Sequence, residues 1–231
     1  METGLDLIRT TLKAAGLDER GAFHPADGDQ VPGCGFSEGV QTVVLVGNVG
    51  GAMWPTFEAG RRDEINALDQ WTARVLSGII EKLIPVYGDI SPIYPSDGPP
   101  YHPFQRWAML AEPVFSSPIG PLIHPDHGLW HAYRGALAFE RKLDIPERPE
   151  RPNPCDTCAD KPCLSTCPVG AFSPGHYDVQ GCANHLTTQT GDICLAVGCL
   201  ARRACPVGRG NAYSEAQTRF HMSLLRDKYA T

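Results

Sequence analysis

Three segments near the start of the chain have its clearest hydrophobic patterns. Apolar residues at positions 5, 8, 12 and 15 recur at helical spacing and predict a helix over residues 5–15, with Thr3 as its N-cap. Residues 40–46 are almost continuously apolar and β-branched, which predicts a central strand buried on both faces. Residues 63–83 repeat apolar side chains every three or four positions, Ile65 among them, and predict a long amphipathic helix.

The remaining elements are shorter. Strands are predicted over 22–24, 85–95, 122–123 and 130–139, and helices over 103–112 and 214–229, the last packing back on the body of the protein. Residues 141–154 combine several prolines with alternating charges and predict a linker. The sequence thus indicates an α+β domain over residues 1–145 and a smaller domain over residues 146–231.

Composition and charge narrow the class of protein. The chain has 231 residues, of which 42% are hydrophobic, and a net charge of −6. The charge is uneven, because residues 1–150 carry −8 and residues 151–231 carry +2. This distribution suits binding of anionic clusters in the second domain and argues against a general nucleic-acid surface, so no nucleic-acid partner is expected. No run of about 18 apolar residues and no export signal occur, so we expect a cytoplasmic, reduced protein without a membrane span.

The second domain is dominated by cysteines. The chain has nine, and eight of them lie within residues 155–205, where Cys-Pro-Val-Gly occurs twice. The first run is Cys155-x2-Cys158-x4-Cys163-x3-Cys167-Pro, and the second is Cys182-x11-Cys194-x4-Cys199-x5-Cys205-Pro. Runs that end in Cys-Pro are typical of [4Fe-4S] sites, in which the fourth cysteine binds the other cluster. Two such clusters are therefore predicted.

The ligand sets follow by analogy with two-cluster ferredoxins. The first set is Cys155, Cys158, Cys163 and Cys205, and the second is Cys167, Cys182, Cys194 and Cys199. Spacing alone also allows two four-cysteine zinc sites, whereas disulfides are disfavoured in a protein without an export signal. Arg202 and Arg203, between two of the cysteines, are interpreted as a solvated turn; the alternatives are that they raise a cluster potential or dock an acidic partner.

The first domain offers fewer chemical signals. Residues 47–51, rich in glycine, predict a tight turn after the strand; the alternative is close approach of the backbone to a cofactor phosphate. Cys34 stands alone and is expected to be inert. His127 and His131 have a spacing that would suit a metal on a helix, but here it spans a turn and a strand.

Part of this domain resembles the cytosolic cobalamin-processing family of dealkylases and decyanases. The matching stretches are residues 42–46, 52–57, 102–106 and 123–135, the last reading Ile-His-Pro-Asp-His-Gly-Leu-Trp-His-Ala-Tyr-Arg-Gly. The resemblance implies a flavin-nitroreductase-like α+β fold that binds a corrinoid or, alternatively, flavin mononucleotide. It also implies that His102 and Arg106 lie near that cofactor and that Trp130 and Arg134 line its pocket.

The cysteine-rich domain resembles a second group, the epoxyqueuosine reductases and the reductive dehalogenases. Cys182-Ala-Asn-His-Leu-Thr187 and Ile119-Gly120 carry this similarity. These proteins join a nitroreductase-like, cobalamin-binding domain to a two-cluster ferredoxin module. The chain departs from the epoxyqueuosine reductases in being much shorter, in lacking their tRNA-binding repeat domain, and in offering no counterpart of their catalytic acid.

Together these features predict an iron–sulfur, corrinoid-binding reductase with a nitroreductase-like N-terminal domain and a ferredoxin-like two-[4Fe-4S] module. Electrons would come from a redox partner protein, and the substrate would be a corrinoid or another small molecule. Two alternatives remain, namely a non-catalytic electron carrier and a flavin-dependent nitroreductase-like enzyme. The sequence assigns no catalytic residue and no oligomeric state.

Overall fold

The computed structural model describes residues 4–173 and 175–231 and divides the chain into two compact units. Met1–Pro113 with His131–Glu150 form the first, here called the sheet unit. Val114–Trp130 with Arg151–Thr231 form the second, here called the cysteine unit. Residues 114–130, which the sequence prediction placed in the N-terminal domain, therefore fall in the cysteine unit.

The elements follow one another along the chain with short connections. The helices are α1 (Asp6–Ala14), α2 (Trp54–Gly60), α3 (Ala67–Tyr87), α4 (Phe104–Ala111), α5 (Pro162–Ser165), α6 (Val179–His185), α7 (Asp192–Val197), α8 (Leu200–Ala204) and α9 (Glu215–Tyr229). The strands are β1 (Asp18–Phe23), β2 (Thr42–Val49), β3 (Ile90–Ile93), β4 (Phe115–Ser116), β5 (Leu122–Ile123), β6 (His131–Phe139), β7 (Phe172–Ser173) and β8 (His176–Tyr177).

The sheet unit is built on a four-stranded antiparallel sheet of order β1-β2-β6-β3. The prediction for β2 is confirmed, because Thr42 and every residue up to Asn48 are buried. The strand runs on past Gly47, so the turn predicted over residues 47–51 begins only at Gly50. The register with β6 shifts between Val46 and Gly47, and a Cβ at Gly47 would lie 2.0 Å from the Ala132 carbonyl oxygen. Only glycine fits this bulge.

Several helix boundaries differ from the sequence prediction. Helix α3 begins at Ala67 because Asn66 adopts a left-handed conformation with φ 54°, which leaves Ile65 outside the helix and 88% exposed. The helix continues through Pro85 to Tyr87. Helix α1 agrees with its prediction, whereas the proposed cap Thr3 lies outside the described residues. The strand predicted at 22–24 is longer and begins at Asp18.

The predicted linker is partly fixed to the sheet unit. Leu143 is 5% exposed, and its N–H donates to the Thr42 hydroxyl at 2.9 Å. That hydroxyl in turn donates to the Arg141 carbonyl oxygen at 3.0 Å. Arg148 Nε donates to the Glu112 carbonyl oxygen at 3.0 Å. This half of the segment is therefore packed structure rather than a solvated spacer.

The cysteine unit contains two short hairpins, β4–β5 and β7–β8, and helices of which only α9 exceeds two turns. Its apolar cluster is small and includes two cysteines; its buried members are Ile119, Ile123, Leu129, Cys163, Phe172, Ala201 and Cys205. Helix α9 packs against α6 and α7 of the same unit. Among the described helices, none has the length and apolar composition that crossing a bilayer requires.

Candidate functional site

Four thiols of the cysteine unit line one cavity. They are Cys155, Cys158, Cys163 and Cys205. About 20 Å³ of the cavity is open to a water-sized molecule, and its other walls are Pro118, Ile123, Pro154, Lys161, Pro162, Pro206 and Val207. Burial raises the pKa of the Cys155 thiol, and the neighbouring Cys205 and Cys163 thiols raise it further. Cys205 thus joins this set although it comes last in the cysteine-rich stretch.

Local turns hold the first set in place. Asn153 accepts from the Cys155 backbone N–H at 3.0 Å through its side-chain oxygen. Lys161, itself in a left-handed conformation with φ 38°, donates from Nζ to the Cys155 carbonyl oxygen at 3.0 Å. Cys163 lies at the start of α5, and the Val207 N–H donates to the Cys205 sulfur. Because a backbone donor favours the charged form of a thiol, the Val207 N–H prepares Cys205 to act as a ligand.

The other four cysteines form a second group. Burial raises the pKa of Cys199 to about 11, and the Cys182 and Cys167 thiols also raise it. The pKa of Cys194 is raised by burial first and then by the same two thiols. The second set is therefore Cys167, Cys182, Cys194 and Cys199, brought together by α6, α7 and the turn before α8.

Hydrogen-bond donors also surround the second set. The Ala171 N–H donates to Cys167 Sγ at 3.4 Å, and the Leu200 N–H donates to Cys194. Cys199 accepts from the backbone of Arg202 and Ala201. The Tyr177 hydroxyl donates to the Cys182 sulfur. These bonds oppose the cost of burying thiolate charge.

The two sets interleave along the chain. Cys167 ends the first cysteine run but groups with the later cysteines, whereas Cys205 ends the second run and groups with the earlier ones. Across residues 4–173 and 175–231, no group of three or more His, Cys, Asp or Glu side chains is placed to hold a metal ion. The binding of a metal cluster is therefore a proposal, to which the donor chemistry and the shared cavity give support.

Arg202 and Arg203 are part of the packing and do not form the solvated turn predicted from sequence. The Arg202 guanidinium lies 4.5 Å from the ring centroids of Trp130 and Tyr213, and its Nε donates to the Leu129 carbonyl oxygen at 3.0 Å. Arg203 Nε donates to the Val197 carbonyl oxygen. The stacking of Arg202, which lies between Cys199 and Cys205 in sequence, therefore fixes helix α8 against residues 129–130.

The four residues predicted to bind a cofactor are divided between the two units. Trp130 is 3% exposed, belongs to the cysteine unit and precedes strand β6 instead of lying in it. His102 stacks on Trp107 with ring centroids 5.6 Å apart.

Arg106 pairs with Asp29 at 3.0 Å, and the Trp107 indole N–H donates to the Asp29 carbonyl oxygen at 2.7 Å. Arg134 lies on β6, where its Nε donates to Asn48 Oδ1 at 3.2 Å. His102 and Arg106 are thus gathered near Asp29, while Arg134 lies beside Asn48.

A buried polar network in the sheet unit was not foreseen from sequence. Glu112 is 9% exposed and Arg20 is 3% exposed, and Arg20 Nη2 donates to Glu112 Oε1 at 2.7 Å. Tyr133 also donates to that carboxylate, and His131 Nδ1 lies 3.3 Å from Arg20 Nη2. Burial raises the pKa of Glu112 although Arg20 opposes this. The network joins Arg20 of β1, the Glu112 that follows α4, and two residues of β6, which meet only in the folded unit, so no local sequence motif predicts it.

Solved structures with a similar fold include epoxyqueuosine reductases and a B12-trafficking protein. An epoxyqueuosine reductase solved with an epoxyqueuosine-modified tRNA-Tyr stem loop has a TM-score of 0.56 and 16% identity over 90% of this chain and 66% of its own. The C. elegans B12-trafficking protein CblC, a human MMACHC homologue, has a TM-score of 0.54 and 17% identity over 96% and 94%. Epoxyqueuosine reductase from Streptococcus thermophilus has a TM-score of 0.51 and 14% identity over 93% and 68%.

No protein-family model and no curated protein sequence matches the chain. The chain spans about two-thirds, 66%, of the length of the first epoxyqueuosine reductase. At these identities the similarity is one of fold. At that level the mixed fold of helices and strands expected from the two resemblances is confirmed.

Proposed function

We propose that this chain is an iron–sulfur reductase in which eight cysteines hold two [4Fe-4S] clusters. Cys155, Cys158, Cys163 and Cys205 would hold the first, and Cys167, Cys182, Cys194 and Cys199 the second. The interleaving of the two thiol sets carries this proposal, because in two-cluster ferredoxins the cysteine of each Cys-Pro ligates the other cluster. Two independent zinc sites would not require each cysteine run to supply one ligand to the other site.

The residues around the thiols support the same chemistry. When bound, such clusters supply single electrons, at potentials that depend on hydrogen bonds to sulfur and on burial. The backbone donors to Cys194, Cys199 and Cys205 would stabilise anionic sulfur. Lys161 and Arg209 act in the same direction on the first set, since their positive charges lower the thiol pKa values.

The sheet unit is proposed as the domain that binds the second cofactor. Its support is the fold similarity to a B12-trafficking protein and to epoxyqueuosine reductases. The cofactor would be a corrinoid, or alternatively flavin mononucleotide, with His102, Arg106 and Arg134 as candidate contacts. A redox partner protein would donate the electrons and a small molecule would receive them. A tRNA stem loop is part of one similar structure, but nothing in this chain motivates a nucleic-acid substrate.

A non-catalytic electron carrier is the second candidate, and one observation favours it. All four residues predicted to contact a cofactor already have partners within their own unit, and His102 stacks on Trp107. Arg106 pairs with Asp29, Arg134 with Asn48, and Trp130 stacks on Arg202. A carrier needs these residues only for packing, whereas a reductase must have room for a cofactor beside them.

Anaerobic reconstitution followed by metal analysis tests the cluster proposal. We expect about eight iron and eight sulfide per chain, as two four-iron clusters require. The matched control is Cys34→Ser, which changes the one cysteine outside the two sets and should leave both counts unchanged. Bound zinc without sulfide, or a loss of iron in the control variant, would contradict the proposed ligands.

Titration with hydroxocobalamin and with flavin mononucleotide separates the reductase from the carrier. A reductase should change the absorption spectrum of one of the two compounds on binding, and Arg134→Ala should weaken that binding. The exposed Arg62→Ala is the control for loss of one positive charge. If neither compound binds to the fully loaded protein, the carrier is the correct function. If Arg134→Ala binds as tightly as the wild type, Arg134 is not a contact.

A further inference from the structure

Lys161 places a positive charge beside the first thiol set. It lies between Cys158 and Cys163 in sequence and is one wall of the cavity that the four thiols line. Its Nζ donates to the Cys155 carbonyl oxygen at 3.0 Å and to the Cys158 carbonyl oxygen at 3.5 Å. The ammonium group is therefore tied to the loop that carries two of the four thiols, and its charge has a fixed position next to them.

The backbone of Lys161 has a conformation that favours glycine. Its φ is 38°, and within the described part of the cysteine unit it is the one residue other than glycine with a positive φ. Glycine reaches this region without strain, whereas a residue with a Cβ atom is less stable there. A lysine in such a conformation indicates that its side chain has a function that glycine could not supply.

Other charged side chains near the thiols are placed differently. Arg209 donates to the Cys205 carbonyl oxygen at 3.3 Å, but it is exposed, so water screens its charge. Lys161 is partly buried, and a charge acts more strongly where less water surrounds it. At the second set, the charged group that acts on Cys182 is the carboxylate of Asp178, which has the opposite sign.

We propose that Lys161 raises the reduction potential of the first cluster and so helps it to accept electrons. This inference rests on the proposed function, because it needs a cluster at the first thiol set. Reduction adds one electron, which the redox partner protein supplies, and no bond or proton changes. A nearby cation stabilises the added negative charge, so the equilibrium shifts towards the reduced cluster. Lys161 acts through the cluster and touches neither the substrate nor the second cofactor.

A redox titration followed by electron paramagnetic resonance tests this role in the full chain with both clusters loaded. Lys161→Gln keeps a donor for the two carbonyl oxygens but removes the charge. One of the two midpoint potentials should then fall, by a roughly tenfold change in the equilibrium constant, or about 59 mV for one electron. The other midpoint should not change. Lys161→Arg keeps the charge and should titrate like the wild type.

Two further variants control the titration. Lys228→Met removes a positive charge that is exposed on α9, and should leave both midpoints unchanged. Cys182→Ala/Cys199→Ala lacks two ligands of the second cluster, so its remaining midpoint should belong to the first cluster and should be the one that Lys161→Gln lowers. Iron and sulfide are counted in every sample.

The outcomes separate a failure of this inference from a failure of the proposed function. Two loaded clusters whose midpoints are the same in Lys161→Gln and in the wild type overturn the inference alone, as does an equal fall in Lys228→Met. If Lys161→Gln does not retain the first cluster, Lys161→Gly is titrated instead, because glycine suits a φ of 38°. Loss of about four iron from both neutral variants means that Lys161 holds the cluster without setting its potential, which also overturns the inference. A wild-type chain that binds no iron and sulfide refutes the proposed function itself, and this inference with it.

Discussion

The sheet unit and the cysteine unit are stabilised in different ways. In the sheet unit, large side chains such as Leu45, Phe57, Trp107 and Phe139 are fully buried around four paired strands. The cysteine unit has two-residue strands, mostly short helices, and a small apolar cluster in which Cys163 and Cys205 take part. An apolar core suffices for the first unit, whereas a domain as small as the second usually needs additional cross-links. Each unit should therefore respond to a different perturbation.

Removal of the metal should have the largest effect, and only on the cysteine unit. Treatment with an oxidant and a chelator would leave the eight thiols without the clusters proposed to join them, so helices α7 and α8 should lose their hydrogen-exchange protection. Strands β2 and β6 should keep theirs, because their core contains no predicted ligand. Hydrogen exchange read by mass spectrometry measures both in one sample. If α7 and α8 keep their hydrogen-exchange protection after complete loss of iron, the cysteine unit does not depend on the metal for its stability.

A second test perturbs the sheet unit instead of the cysteine unit, through the substitution Arg20→Met. It leaves the Glu112 carboxylate buried without its partner, which should cost about 3–5 kcal/mol of stability. The double variant Arg20→Met/Glu112→Gln removes the stranded charge and should recover part of the loss. Both the loss and the partial recovery are measured as local free energies of unfolding, obtained from hydrogen exchange at β2. The iron content of either variant should equal that of the wild type, and a fall in iron would show that the two units are not independent.

The same contrast explains what sequence could predict. A continuous apolar run identified β2, and helical spacing identified α1 and α3, since these patterns are local. The two cysteine sets were assigned by analogy with proteins of known ligand pattern, and they stay a prediction.

What sequence could not provide depends on long-range pairing or single dihedral angles. Arg20 and Glu112 are 92 residues apart and meet only where α4 packs against β1. The start of α3 was misplaced because one left-handed residue, Asn66, delays it. Arg202 was taken for a solvated residue because its two aromatic neighbours, Trp130 and Tyr213, are distant in sequence.

Arg202→Lys should have a smaller effect that is confined to the cysteine unit. Lysine keeps the charge but loses the planar contact with two rings and the forked bond to Leu129, so we expect a loss of about 1–2 kcal/mol. The loss of stability should appear as faster hydrogen exchange in α8, with no change in β2. Arg226→Lys, on the exposed end of α9, is the control. Equal stability of α8 in both variants would show that the stack contributes nothing measurable.

The smallest effect expected is a pH dependence of the sheet unit. Burial raises the pKa of Glu112 above its ordinary value of 4.5 in the folded state, so the folded unit holds this proton more tightly than the unfolded chain. The stability of the sheet unit should therefore fall as the pH rises from about 4.5 to the raised pKa, and then level off. In Glu112→Gln the stability of the sheet unit should no longer change over this pH range, as measured by hydrogen exchange at β2. An unchanged slope in the variant would assign the dependence to another group.

The pairing of the cysteines is tested most directly by the iron content of two double variants. If Cys163 and Cys205 share a cluster, Cys163→Ala/Cys205→Ala loses one cluster and retains about four iron per chain. Cys163→Ala/Cys167→Ala then damages both clusters and retains almost none. The interleaved arrangement predicts this result. The reverse result, with about four iron in the second variant and almost none in the first, would mean that each run of four cysteines holds its own cluster.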